Sequence, residues 1–166
     1  MDRLLFPATT APEPERFDLE IEIRPADIDE LGHVNNTVYV RWVQEAAIAH
    51  WRAAASPQAQ KDLVWVVVRH EIDYKHPAFP GDRIRARTWV GPASRLAFER
   101  NTEIARARDG KLLARARTLW VPLDPRTGRP CEVSQEVRQR FSVPDPGAGS
   151  DRGHGPAAGT RARLGT

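Results

Sequence analysis

The stretch from Asn36 to about Ala55 constrains the fold more than any other part of the chain. Tyr39, Val43, Ala46 and Ala47 recur on one face at helical spacing, and Trp42, Ala49 and Trp51 add apolar bulk elsewhere. Only Arg41, Gln44, Glu45, His50 and Arg52 interrupt the pattern. A helix apolar over most of its circumference is wrapped by other structure rather than laid on a surface. Ser56-Pro57 closes it.

The rest of the chain supplies the wrapping. Phe17 to Arg24 alternates apolar and charged residues, as a half-buried strand does, and Pro25 ends it. Trp65–Tyr74 and Asp82–Val90 read as strands, the second stopped by Gly91-Pro92. Leu96–Ala105 and Leu112–Val121 pair around Arg108-Asp109-Gly110, a strong hairpin signal. A short terminal helix is expected within Val133–Phe141. Residues 1–16, with three prolines, read as a loose leader, and residues 142–166, without hydrophobic period, as a disordered tail. One domain over residues 17–141 follows, of α+β class, with an antiparallel sheet curled round a long helix. Such a layer leaves sheet edges open, so self-association as a dimer or tetramer is expected.

Composition excludes several function classes. The net charge is +3, but the arginines stand singly and alternate with apolar residues (Arg83, Arg85, Arg87, Arg95, Arg100, Arg106, Arg108, Arg115, Arg117). That pattern puts most of them on the solvent face of strands and lacks the clustering of a nucleic-acid footprint. The longest apolar stretch, Val64–Val68, is far short of a membrane span, and Met1–Pro7 has neither the length nor the cleavage site of a signal peptide. A cytoplasmic location is the default expectation. Cys131 is the single cysteine, which excludes an internal disulfide, and His70 and His76 have no metal-ligand spacing. Neither a metal nor an organic cofactor is expected.

The chemistry concentrates in Asp27-Ile28-Asp29-Glu30-Leu31-Gly32-His33-Val34-Asn35-Asn36, directly ahead of the helix. Turn-forming Asp, Gly and Asn before an apolar run read as a loop feeding a helix N-terminus. Unpaired N–H groups and a partial positive charge there suit a carbonyl oxygen gaining negative charge. An upstream carboxylate is the matching base or nucleophile. Alone, Asp29 would read as a capping carboxylate; within this motif it reads as catalytic. Asp27 reads as structural. His33 either orients the loop or shuttles a proton to the leaving group. Asn35 and Asn36 are cap residues first, Glu45 reads as an ion-pair partner, and the five tryptophans read as core residues before ligand contacts.

The sequence Asp-x-Asp-x-x-Gly-His-Val-Asn-Asn-x-x-Tyr before a buried helix resembles the hotdog-fold thioesterases of the 4-hydroxybenzoyl-CoA thioesterase family. Arg69-His70-Glu71-Ile72-Asp73-Tyr74 with Pro77 and Pro80-Gly81-Asp82, and Asp124-Pro125-Arg126-Thr127-Gly128-Arg129-Pro130, are similar to that family's central strand and later loop. The resemblance implies a hotdog fold and a catalytic Asp29, with the oxyanion-binding N–H at or next to Asn36. It also makes Asn35, Tyr39 and Arg95 candidates to contact an acyl-CoA substrate, Arg95 at its nucleotide end. Plant-type acyl-carrier-protein thioesterases share His-Val-Asn-Asn with an asparagine two residues before the histidine, where this chain has Leu31. That departure favours an aspartate-led mechanism. The implied activity is hydrolysis of an acyl thioester, with acyl-CoA ahead of acyl carrier protein as carrier. A non-catalytic acyl-CoA-binding module is the alternative of a different class, and a dehydratase ranks lowest.

Overall fold

The computed structural model describes residues 13–143. The expected leader and tail lie almost wholly outside them. Chain order is β1 (Phe17–Glu22), a 3-10 turn (Pro25–Asp27), α1 (Asn36–Ala54), α2 (Pro57–Asp62), β2 (Val64–Tyr74), β3 (Arg83–Ala93), β4 (Phe98–Arg106), β5 (Leu112–Leu123) and α3 (Gln135–Arg140). The five strands form one antiparallel sheet in the order β1-β3-β4-β5-β2, curled around α1. The expected hotdog architecture is the one observed.

Strand alternation selects what meets the helix. Ile84, Ala86, Thr88 and Val90 of β3, Phe98, Arg100, Thr102 and Ile104 of β4, and Ala114, Ala116, Thr118 and Trp120 of β5 are buried. The alanines let α1 sit close to the sheet, and Trp42, Val43 and Ala46 fill the contact with no solvent exposure. This parity overturns the expectation that Arg100 and Arg106 face solvent: both are buried, on the same strand as Phe98 and Ile104.

Two local features depart from the sequence reading. Ser56-Pro57 ends α1 but also begins α2, with Ser56 Oγ accepting from the Ala59 N–H at 3.2 Å. Pro at the first helical position sacrifices no hydrogen bond. β3 runs through Gly91-Pro92 to Ala93, because a register shift after Val90 accommodates the missing N–H. The expected terminal helix is α3, tied down by Arg138 Nη2 donating to the Ser94 carbonyl at 2.9 Å and Arg140 Nε to the Ala54 carbonyl at 3.1 Å.

Candidate active site

The loop between β1 and α1 closes on itself. The Asn35 N–H donates to the Asp27 carbonyl and the Asp29 N–H to the His33 carbonyl, both at 2.9 Å, with Ile28 and Val34 bridged between them. Gly32 makes the tip, its φ of +78° being one that side chains with a Cβ rarely adopt. The Val34 N–H donates to the Ala78 carbonyl at 2.9 Å, tying the loop to the segment between β2 and β3.

Asp27 is the loop's anchor. Its carboxylate, 1% exposed, accepts from Arg41 Nη2 at 2.8 and 2.9 Å and from the Arg24 N–H at 2.9 Å. A buried carboxylate held by a guanidinium and a backbone donor is compensated in charge and in hydrogen bonds. Arg41 Nε also lies 3.4 Å from Glu45, the ion pair expected of that residue.

Asp29 is placed differently. Its Oδ1 accepts from the Leu31 N–H at 2.9 Å, and its Oδ2 lies 3.5 Å from His33 Nδ1. The Asp29 and His33 side chains are 22% and 32% exposed, although His33 Nδ1 itself is buried. No hydrogen bond from the described residues satisfies His33 Nδ1, and Phe79 packs its ring edge-to-face on the imidazole at 6.5 Å. One oxygen is thus fixed by the backbone while the other faces a histidine.

Asn35 is the N-cap of α1, its side chain accepting from the Thr37 N–H at 2.9 Å and the Thr37 hydroxyl at 2.8 Å. That leaves the N–H of Asn36, at the first helical position, without an intrahelical acceptor. Tyr74 donates its hydroxyl to the Asn36 carbonyl at 2.9 Å. Tyr39 is 3% exposed, and its hydroxyl accepts from the Ala78 N–H at 3.0 Å. Burial raises the Tyr39 phenol's pKa above its ordinary value. Tyr39 therefore braces the segment behind the loop.

Asp29, His33, Asn35 and Asn36 come together within one loop and helix start, and Tyr39 supports them. Arg95 does not join them. It follows the far end of β3, exposed and paired with Glu132 at 3.1 Å, whereas the near end of β3 pairs with Glu22 just before the loop. Tyr74 and Phe79 are additions that the sequence reading does not make. Their signal is position, since Tyr74 precedes and Phe79 lies within the Pro77–Pro80 segment to which the loop is tied.

Residues 23–141 match the thioesterase-like superfamily. Among solved structures, a 1,4-dihydroxy-2-naphthoyl-CoA thioesterase from Synechocystis is 26% identical with a TM-score of 0.67, covering 76% of this chain and 96% of that one. A thioesterase from Thermus thermophilus, solved with coenzyme A and zinc, is also 26% identical, with a TM-score of 0.66 and coverage of 75% and 90%. A chloroplastic palmitoyl-acyl carrier protein thioesterase of Gossypium hirsutum is 28% identical over 131 residues, 74% of this chain and 32% of that protein. The chain spans about a third of the length of the curated relatives it matches.

Proposed function

The chain belongs to the thioesterase-like superfamily, and on that premise we propose that it hydrolyses an acyl thioester, most readily an acyl-CoA, to acid and thiol. The observation that carries this reading is the Asp29 carboxylate, anchored by the Leu31 N–H and 3.5 Å from His33 Nδ1, in the loop that leads into the helix start at Asn36. The thioester carbonyl oxygen receives the Asn36 N–H, which strengthens as the oxygen gains charge. Asp29 takes a proton from the attacking water, and that proton passes by way of His33 to the departing thiolate; if Asp29 attacks the carbonyl itself, the thiolate leaves and water then hydrolyses the acyl anhydride on Asp29 to the acid. Thioesters are activated already, so one carboxylate and one oxyanion donor suffice. The finer affiliation with 4-hydroxybenzoyl-CoA thioesterases rests on the loop motif, and Leu31 in place of an asparagine supports the aspartate-led version.

A second reading keeps the chemistry and changes the carrier. The chloroplastic palmitoyl-acyl carrier protein thioesterase of Gossypium hirsutum favours acyl carrier protein; the coenzyme A-bound Thermus thioesterase favours CoA. In either case the catalytic unit is a homo-oligomer. β2 is an edge of the sheet, and its Val64, Val66 and Val68 are exposed.

The test is thiol release from a panel of acyl-CoAs by wild type and Asp29→Asn. Wild-type turnover with at least about a hundredfold loss in the folded variant is the expected result. Turnover that survives the substitution would remove Asp29 from the mechanism, and binding without turnover by either protein would leave a sensor. Presenting one acyl chain on CoA and on acyl carrier protein distinguishes the carriers.

A further inference from the structure

A second concave site lies at the other end of α1. Ile48 lines it, twelve residues after Asn36, or about 18 Å along the helix. The cavity has a volume of about 310 Å³, within the range of small-molecule sites. Trp51, Trp65, Phe98, Trp120 and Phe141 form its wall. The guanidinium of Arg100 is part of the same lining.

Arg100 is 8% exposed. Its Nη1 donates to His50 Nδ1 at 3.0 Å and to Thr88 Oγ1 at 3.2 Å, and both acceptors are neutral. Thr88 in turn accepts from the Thr102 hydroxyl at 3.1 Å and donates to the Asn101 carbonyl at 2.9 Å. No carboxylate among the described residues lies within ion-pair distance of Arg100. Glu99 lines the same cavity but is turned to Arg117 at 3.4 Å and to Asn101. A buried charge is normally paired, because leaving water costs far more than hydrogen bonds to neutral groups return. Desolvation accordingly lowers the Arg100 pKa to about 10, still charged at neutral pH. Arg52 at the lining adds a second cation.

We infer that this cavity binds an apolar carboxylate, its chain or ring against the tryptophans and its carboxylate on the Arg100 guanidinium. At about 30 Å³ per water-sized group, the volume admits roughly ten such groups, which fits a medium-chain or aryl carboxylic acid. The carboxylate is either that of a free acid or the distal carboxylate of an acyl group whose thioester lies elsewhere. Binding is independent of thioester hydrolysis, so the inference survives if that reading fails.

The test is titration of the full chain with octanoate and with 1-octanol, followed by the fluorescence of the lining tryptophans. Octanoate should bind at least about tenfold tighter than the alcohol, the margin of one charge-assisted contact. In Arg100→Met that preference should fall to within about twofold. Ile48→Trp, a substitution at the exposed rim that leaves Arg100 in place, should abolish the response and guards against a misfolded Arg100 variant. Equal binding of acid and alcohol, or no response to either because another part of the chain fills the cavity, overturns the inference. Competitive inhibition of thiol release by octanoate would mark the cavity as the acyl end of the active site; inhibition or activation without competition would mark a separate site for free acids.

Discussion

His50 carries a pH dependence of its own. It is 1% exposed, stacks on Phe17 at 5.1 Å, and meets Phe141 edge-on at 4.9 Å. Because a guanidinium only donates, Nδ1 must accept from Arg100, and the neutral ring carries its proton on Nε2. Burial first, and then the Arg100 charge, lower the pKa of His50 from 6.5 to about 4, with Glu15 opposing and Arg140 adding to the effect. Between those values the unfolded chain binds a proton that the folded one refuses, so stability falls as pH drops from 6.5 toward 4. Urea unfolding at a series of pH values should show this loss in wild type and much less of it in His50→Gln, which keeps an acceptor for Arg100. Equal losses would assign the slope to other groups. In sequence, His50 is a polar interruption of α1 and Arg100 one more surface charge. The clue to the contrary is parity: Arg100 alternates in step with Phe98, Thr102 and Ile104. A charged residue in a buried phase is discounted by any reading that sorts residue types by polarity.

Elements are the most legible scale. α1 begins at Asn36 and ends at Ala54, within a residue of the expected span, because Asn35 and Pro57 are strong local signals. Asn35→Ala should cost about 1 kcal/mol of stability by removing the acceptor for the Thr37 N–H, and Asn35→Asp should retain it. Thermal or urea unfolding of the two variants tests this, and an alanine variant as stable as wild type would deny the cap its role. The same substitution frees the helix start on which the proposed oxyanion contact depends. α2 and the passage of β3 through Gly91-Pro92 are illegible for a common reason. Proline reads as a terminator, whereas its effect depends on whether the missing N–H has a partner to lose. At the first position of α2 and at the register shift in β3 that loss is accommodated.

On the scale of the whole molecule, the sheet has two edges, β1 and β2, and β2 is the apolar one. Val64, Val66 and Val68 there are exposed, and among the described strands β2 pairs only with β5. An exposed apolar edge strand is a template for pairing. Light scattering after size exclusion should give the mass of a dimer or larger assembly for wild type, and a smaller species for Val66→Lys combined with Val68→Lys. A wild-type monomer at micromolar concentration would reject self-association. By itself the sequence determined the α+β class, the antiparallel strands, the long wrapped helix and the gathering of Asp29, His33, Asn35 and Asn36, because each rests on residues close in the chain. Only the tertiary structure decided that Arg95 stands apart from that loop, that Tyr39 braces it, and that Arg100 lies buried among aromatic rings. These facts depend on which strands become neighbours, and the order β1-β3-β4-β5-β2 joins segments whose local patterns say nothing of one another.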